Sequence, residues 1–131
     1  NSGNKNTGSS GGSQQQGSRT VTEADVKAIV EEAKAYARSK GFVIDSSLTE
    51  VGTSWGPEIG ITKEFEPGDD KLYAEHLRDR IDSTYRILKA NFTDEEWEKI
   101  QSEHPEAIAL NIFYKYRPND SAEPYYIYVV Y

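Results

Sequence analysis

The chain has 131 residues, 36% of them hydrophobic and 28% charged, with a formal net charge of −7, which bounds it to one domain of ordinary soluble composition. No apolar run approaches the roughly 18 residues of a membrane helix, and no signal-peptide core is present. Zero cysteines exclude disulfide, thiolate-metal and cysteine-nucleophile chemistry, and zero methionines make Asn1 an expected processing point or cut boundary rather than a start of translation.

Asn1 to Ser18 is a Gly/Ser/Asn/Gln tract with no apolar residue to bury, so residues 1–20 read as a disordered tether and 21–131 as a single domain. Lys5 and Arg19 are the only charges before Val21, so 13 basic residues face 22 acids in the domain, a net charge of −9. A field of that sign repels nucleic-acid phosphates and anionic lipid surfaces and favours a neutral or basic partner. The small-polar tract leading abruptly into a compact domain resembles the mature part of a bacterial lipoprotein. That resemblance covers the tail alone and is compositional. It implies a lipid-modified cysteine just before Asn1, an extracytoplasmic location and contact with the membrane only through that missing anchor. The composition is shared with ordinary interdomain linkers and trimmed termini.

In the domain, Thr22 is placed as the N-cap of a first helix over Glu23 to about Lys40. Asp25 stands at its third position, Val21 staples to Val26, and Gly41 stops it. Val26, Ile29, Val30, Ala33, Tyr36 and Ala37 form its buried stripe. Phe42 to Ile44 reads as a short strand, Asp45 to Pro57 as a polar loop around Trp55, and Glu58 to Phe65 as a second strand weakened by Gly60. The turn at Glu66 to Asp70 leads into the longest helix, with Leu72, Leu77, Ile81, Tyr85 and Leu88 on one side. Thr93 and Glu96 form a capping box, with Phe92 stapled to Trp97, for a third helix that His104-Pro105 ends. Ala107 to Arg117 and Tyr125 to Tyr131 read as a β-hairpin. The order α-β-β-α-α-β-β predicts an α+β fold, a mostly antiparallel four-stranded sheet with helices packed on one face.

The hairpin holds Tyr114, Tyr116, Tyr125, Tyr126, Tyr128 and Tyr131, six of the nine tyrosines. Strand alternation places Ile108, Leu110 and Ile112 toward the helices, and Phe113, Lys115, Arg117, Tyr126 and Tyr128 on the opposite face. Rings with interleaved cations suit stacking on a sugar, a base or a peptide. Equally, tyrosines of high strand propensity cover each other as cross-strand pairs. Trp55, between glycines on a loop, is either a presented contact residue or, because of the apolar area it would leave in water, a roof over the core.

His76 and His104 lack ligand-set spacing, and no nucleophile elbow, phosphate loop, dinucleotide fingerprint or calcium loop occurs, so no cofactor or metal is expected. The acids Asp94, Glu95, Glu96, Glu98, Glu103 and Glu106 read as dipole-compensating and solvated. The expected function is a non-enzymatic binding or assembly module for a protein or glycan partner. Alternatives are a small hydrolase using dispersed carboxylates with His76 or His104, or an acidic inhibitor that masks a basic partner through the Asp94 to Glu106 face.

Overall fold

A computed structural model describes residues 18–131. The expected tether lies outside the described residues except at its end, where Arg19 and Thr20 form a short strand rather than tail: β1 (Arg19–Thr20) pairs antiparallel with β4 (Glu64–Phe65). Helix α1 spans Glu23–Ser39 and starts at the expected N-cap, where Asp25 completes a capping box: the Thr22 side chain accepts from the Asp25 amide while the Asp25 carboxylate accepts from the Thr22 amide. It buries Val26, Ile29, Val30, Ala33 and Ala37. The chain then turns at Gly41, whose φ of 102° suits a residue without Cβ.

The four-stranded sheet has the order β2 (Val43–Ile44), β5 (Ala109–Tyr116), β6 (Tyr125–Val130), β3 (Ile59–Ile61). The β2–β5 pair is parallel and the other two pairs are antiparallel, so the α+β sheet is mixed but mostly antiparallel. The expected strand Glu58 to Phe65 is broken into β3 and β4 at Thr62–Lys63. There the Thr62 amide and hydroxyl turn to the Tyr73 hydroxyl, at 3.1 and 3.2 Å.

Helix α2 (Asp69–Lys89) is the longest at 21 residues. Its buried stripe is Tyr73, Ala74, Leu77, Ile81 and Thr84. Leu72, expected inward, is 47% exposed because Tyr73 occupies the first inward position and stacks on Phe65 at 6.3 Å. Helix α3 (Asp94–Glu103) starts on the Thr93–Glu96 capping box. Trp97 is buried, its ring 6.0 Å from Phe92 and edge-on to Tyr85 at 5.4 Å, with Nε1 donating to the Tyr85 hydroxyl. A short 3-10 turn, Pro105–Ala107, leads into β5. The core is one cluster in which Val26, Ile29, Val30, Leu77 and Ile81 of the helices meet Leu110, Ile112, Ile127 and Val129 of the sheet.

Candidate binding face

The register of the hairpin decides which rings share a face. Ile112↔Val129, Tyr114↔Ile127 and Tyr116↔Tyr125 lie on the helix side, and Asn111↔Val130, Phe113↔Tyr128 and Lys115↔Tyr126 on the other. The predicted set is therefore gathered on the outer face, but it is not an open platform. The loop from Asp45 to Pro57 crosses that face and is sewn to it. The Asp45 amide donates to the Leu110 carbonyl at 2.9 Å, the Asn111 side-chain amide donates to the Leu48 carbonyl at 2.9 Å, and Ser54 and Tyr131 exchange backbone bonds of 2.9 and 3.0 Å. The Asn111 bond explains how an amide side chain 5% exposed is tolerated there.

Of the two expectations for these rings, an open platform and mutual cover across the strands, the second describes Tyr128. Tyr128 is 5% exposed, stacked on Phe113 at 5.2 Å with ring planes 12° apart and capped edge-on by Trp55 at 5.3 Å. Directly opposite rings across an antiparallel pair are close enough to prefer each other to solvent. Arg117 is equally engaged: its guanidinium donates to the Tyr128 hydroxyl, lies 3.9 Å from the Tyr126 ring centre and stands 3.7 Å from Glu58. The Tyr126 hydroxyl donates to Asp120 at 2.8 Å and Glu123 at 3.1 Å, and those carboxylates push its pKa up to about 12. Thus Arg117, Tyr126 and Tyr128 form one satisfied cluster. Asp120, Glu123 and Glu58, which complete it, were missed in sequence. Asp120 alone had a signal, since it follows Pro118-Asn119 and accepts from the amides of Ala122 and Glu123 as turn aspartates do.

What remains presented is Trp55 and its surroundings. Trp55 does roof a ring, but the ring is Tyr128 on the outer face, and it keeps 39% of its own surface exposed. Its position is fixed three ways: by the contact with Tyr128, by a backbone bridge to Val130, and by Nε1 donating to the Glu50 carbonyl at 3.0 Å. Val51, 79% exposed, leads the turn at Gly52, where φ is 78°. Lys115 is exposed and ion-pairs with Glu50, whose carboxyl is lowered chiefly by that contact. Phe113 is half-buried beside them. A fixed aromatic with an aliphatic neighbour and a charged rim has the anatomy of a contact hot spot.

The histidines lie elsewhere. His76 is exposed on α2, edge-on to Tyr73 at 6.4 Å, and borders a shallow depression of about 270 Å³ with Ile59, Asp79, Arg80 and Ser83. His104 contacts Glu106 at 3.3 Å in the open. The six carboxyls with resolved shifts, Asp25, Asp45, Glu50, Asp82, Glu106 and Asp120, are all lowered. At Asp82 burial works upward and is outweighed by hydrogen bonds from Tyr36 and Lys40. Lowering is opposite to what a general acid at neutral pH needs. Among the described residues no group of three or more His, Cys, Asp or Glu side chains could hold a metal ion, and no helix is long and apolar enough to cross a membrane. The acids of α3 and the following turn, Asp94, Glu95, Glu96, Glu98, Glu103 and Glu106, are all exposed.

A groove of about 510 Å³ between α1 and the start of α2 is lined by Arg19, Asp25, Ile29, Glu32, Phe65 and Pro67, among others. Its cation is already committed: Arg19 donates to both Asp25 oxygens at 2.6 and 2.7 Å and lies 5.2 Å from the Phe65 ring centre. Compared with known proteins, the chain matches no family model, no curated relative and no solved structure, so geometry alone carries the functional reading.

Proposed function

We propose that the chain is a non-enzymatic, extracytoplasmic binding or assembly module, held at a membrane surface by its N-terminal segment, whose outer sheet face around Trp55 holds a protein or glycan partner. The observation that carries this reading is that Trp55 is fixed by three independent contacts and still exposes 39% of its surface. A ring held in place before the partner arrives loses little conformational entropy on binding, so its apolar area contributes almost fully.

The tether fits the same arrangement. The N-terminal segment enters at β1, beside Lys63, whose amide donates to Ala122 at the turn end of the hairpin. Trp55 bridges Val130 at the other end of β6. The separation along β6 from Tyr125 to Val130 is roughly 17 Å, so Trp55 and the entry of the N-terminal segment lie toward opposite ends of that strand. The test is to screen the full chain and its Trp55→Ala variant against a glycan array and a displayed random-peptide library. The reading expects ligands whose affinity falls about tenfold or more in the variant. Ligands that bind both proteins equally would remove Trp55 from the account.

A further inference from the structure

The hairpin leaves a second feature beside Trp55, in the backbone rather than the side chains. Strand β5 has eight residues, but its outer neighbour β2 pairs with it only at Ala109 and Leu110. The direction of each peptide group follows from the bonds that are made. The carbonyls of Ile108 and Leu110 accept from Val43 and Asp45 on the β2 side, whereas the Arg117 amide donates to Pro124 on the β6 side. Strand alternation then aims the N–H and C=O groups of Ile112, Tyr114 and Tyr116 away from β6, past the end of β2. Among the described residues none of these groups has a hydrogen-bond partner. Ile112 is itself fully buried, so the part of this edge that solvent reaches runs from Tyr114 to Tyr116, roughly 7 Å on an inner strand.

Proteins that leave such an edge unused blunt it with proline, a bulge or charged side chains; here the strand has no proline, and its one charge, Lys115, is drawn to Glu50 on the outer face. Its flanks are suited to side chains instead. On the helix side Tyr116, 60% exposed, stands 5.1 Å from Tyr125, which in turn is 6.0 Å from Tyr114. On the outer side the edge is flanked by Phe113 and Lys115, the same residues that border Trp55 and Glu50.

We propose that the partner is a polypeptide whose extended, neutral-to-basic segment adds as a strand to the Tyr114–Tyr116 edge of β5. Its alternate side chains would rest on the Tyr114/Tyr116/Tyr125 cluster and beside the Trp55 patch. Unpaired donors and acceptors at strand spacing recognise an extended peptide backbone and no other common ligand. The charge of the segment follows from the −9 carried by residues 21–131, which disfavours a second copy of this chain at the edge and attracts a basic strand. This deepens the binding reading and rests on it, since it makes the proposed partner a polypeptide rather than a glycan.

The test uses the full chain and a displayed library of random peptides of about nine residues, long enough to span the edge. A peptide recovered from it is then synthesised and added during amide hydrogen exchange. Protection should appear at the amides of Tyr114 and Tyr116, which have no hydrogen-bond partner without peptide. Methylating alternate backbone nitrogens of the peptide should cost about tenfold or more in affinity. Tyr116→Pro removes an amide that points away from β6 and so should leave the hairpin paired while lowering peptide affinity about tenfold or more; Tyr116→Val keeps the amide and should bind within a few-fold of the parent.

The proposal is overturned if no peptide is recovered, if protection appears elsewhere, if Tyr116→Pro binds as well as the parent, or if the chain protects these amides by self-association. The two readings fail separately. Edge protection indifferent to Trp55→Ala would sink the Trp55 reading alone, and glycan ligands that need Trp55 would sink the edge alone.

Discussion

Replacing Asp25 by asparagine isolates the clasp that joins β1 to the start of α1. The carboxylate accepts two bonds from Arg19 at 2.6 and 2.7 Å, one from the Thr22 amide at 2.8 Å and one from the Thr22 hydroxyl at 3.0 Å. These hold its pKa at about 2 against 3.8, the Arg19 bonds being the largest cause. At about 1.4 kcal/mol per tenfold change in proton affinity the difference is about 2 kcal/mol. The Arg19 side chain is 56% exposed, so solvent and salt reduce this to about 1 kcal/mol.

The sign is set by a lowered carboxyl: the contribution is complete above the unfolded pKa near 3.8 and is lost as pH falls through about 2. Urea unfolding of the parent and Asp25→Asn should therefore differ by about 1 kcal/mol near neutrality and converge as pH falls below about 2, where the Asp25 carboxyl also becomes uncharged. A difference that stays constant from neutral to acid pH would show that Asp25 acts by shape rather than charge, and the clasp argument would fall.

Other expectations follow from the same contacts. Trp97→Ala removes a 3% exposed ring and should cost about 3–5 kcal/mol in urea unfolding, while Trp55→Ala, from a ring already 39% exposed, should cost about 1. Equal losses would contradict the burial pattern. In a spectrophotometric titration Tyr114 and Tyr126 should stay protonated beyond the ordinary tyrosine range, up to about 12, because each donates to a carboxylate. As these pKa values are raised, that stabilisation is intact below about 10 and is lost as pH rises through about 12. Ionisation of all tyrosines together near 10 would count against both bonds. Gly60→Ala would bring a Cβ 2.6 Å from the Glu123 carboxyl carbon, displacing that side chain from Tyr126. A loss of about 1 kcal/mol in thermal unfolding is expected, and no loss would mean that Glu123 holds nothing.

The local elements were legible where side chains speak to their own backbone. Thr22, Asp25, Thr93 and Glu96 named both capped helix starts, and alternation sorted the hairpin faces, because caps and pleats act over a few residues. Long-range packing was not legible in the same way. Nothing in Asp45 to Pro57 announced that it would lie across the outer face, so alternation alone left open whether Tyr128 is presented or covered, and it is buried. Glu50 gave no local signal, since its partner Lys115 is 65 residues away. The open edge of β5 depends on β2 pairing at only two residues, a length that the apolar run Phe42 to Ile44 does not fix. Leu72 lost its inward place to Tyr73 because the bend at Thr62 brings Phe65 and the Tyr73 hydroxyl together.

The most direct test of the central claim is acrylamide quenching of tryptophan fluorescence in the intact chain, alone and with a ligand recovered by the screen. There are two tryptophans, Trp97 at 3% and Trp55 at 39% exposure, so their signals separate by access. The account predicts one quenchable population in the free protein, Trp55, and its loss of quenching when the ligand binds. A Trp55 signal shielded in the free protein, or quenched equally with ligand bound, would contradict the claim that this face is the contact surface.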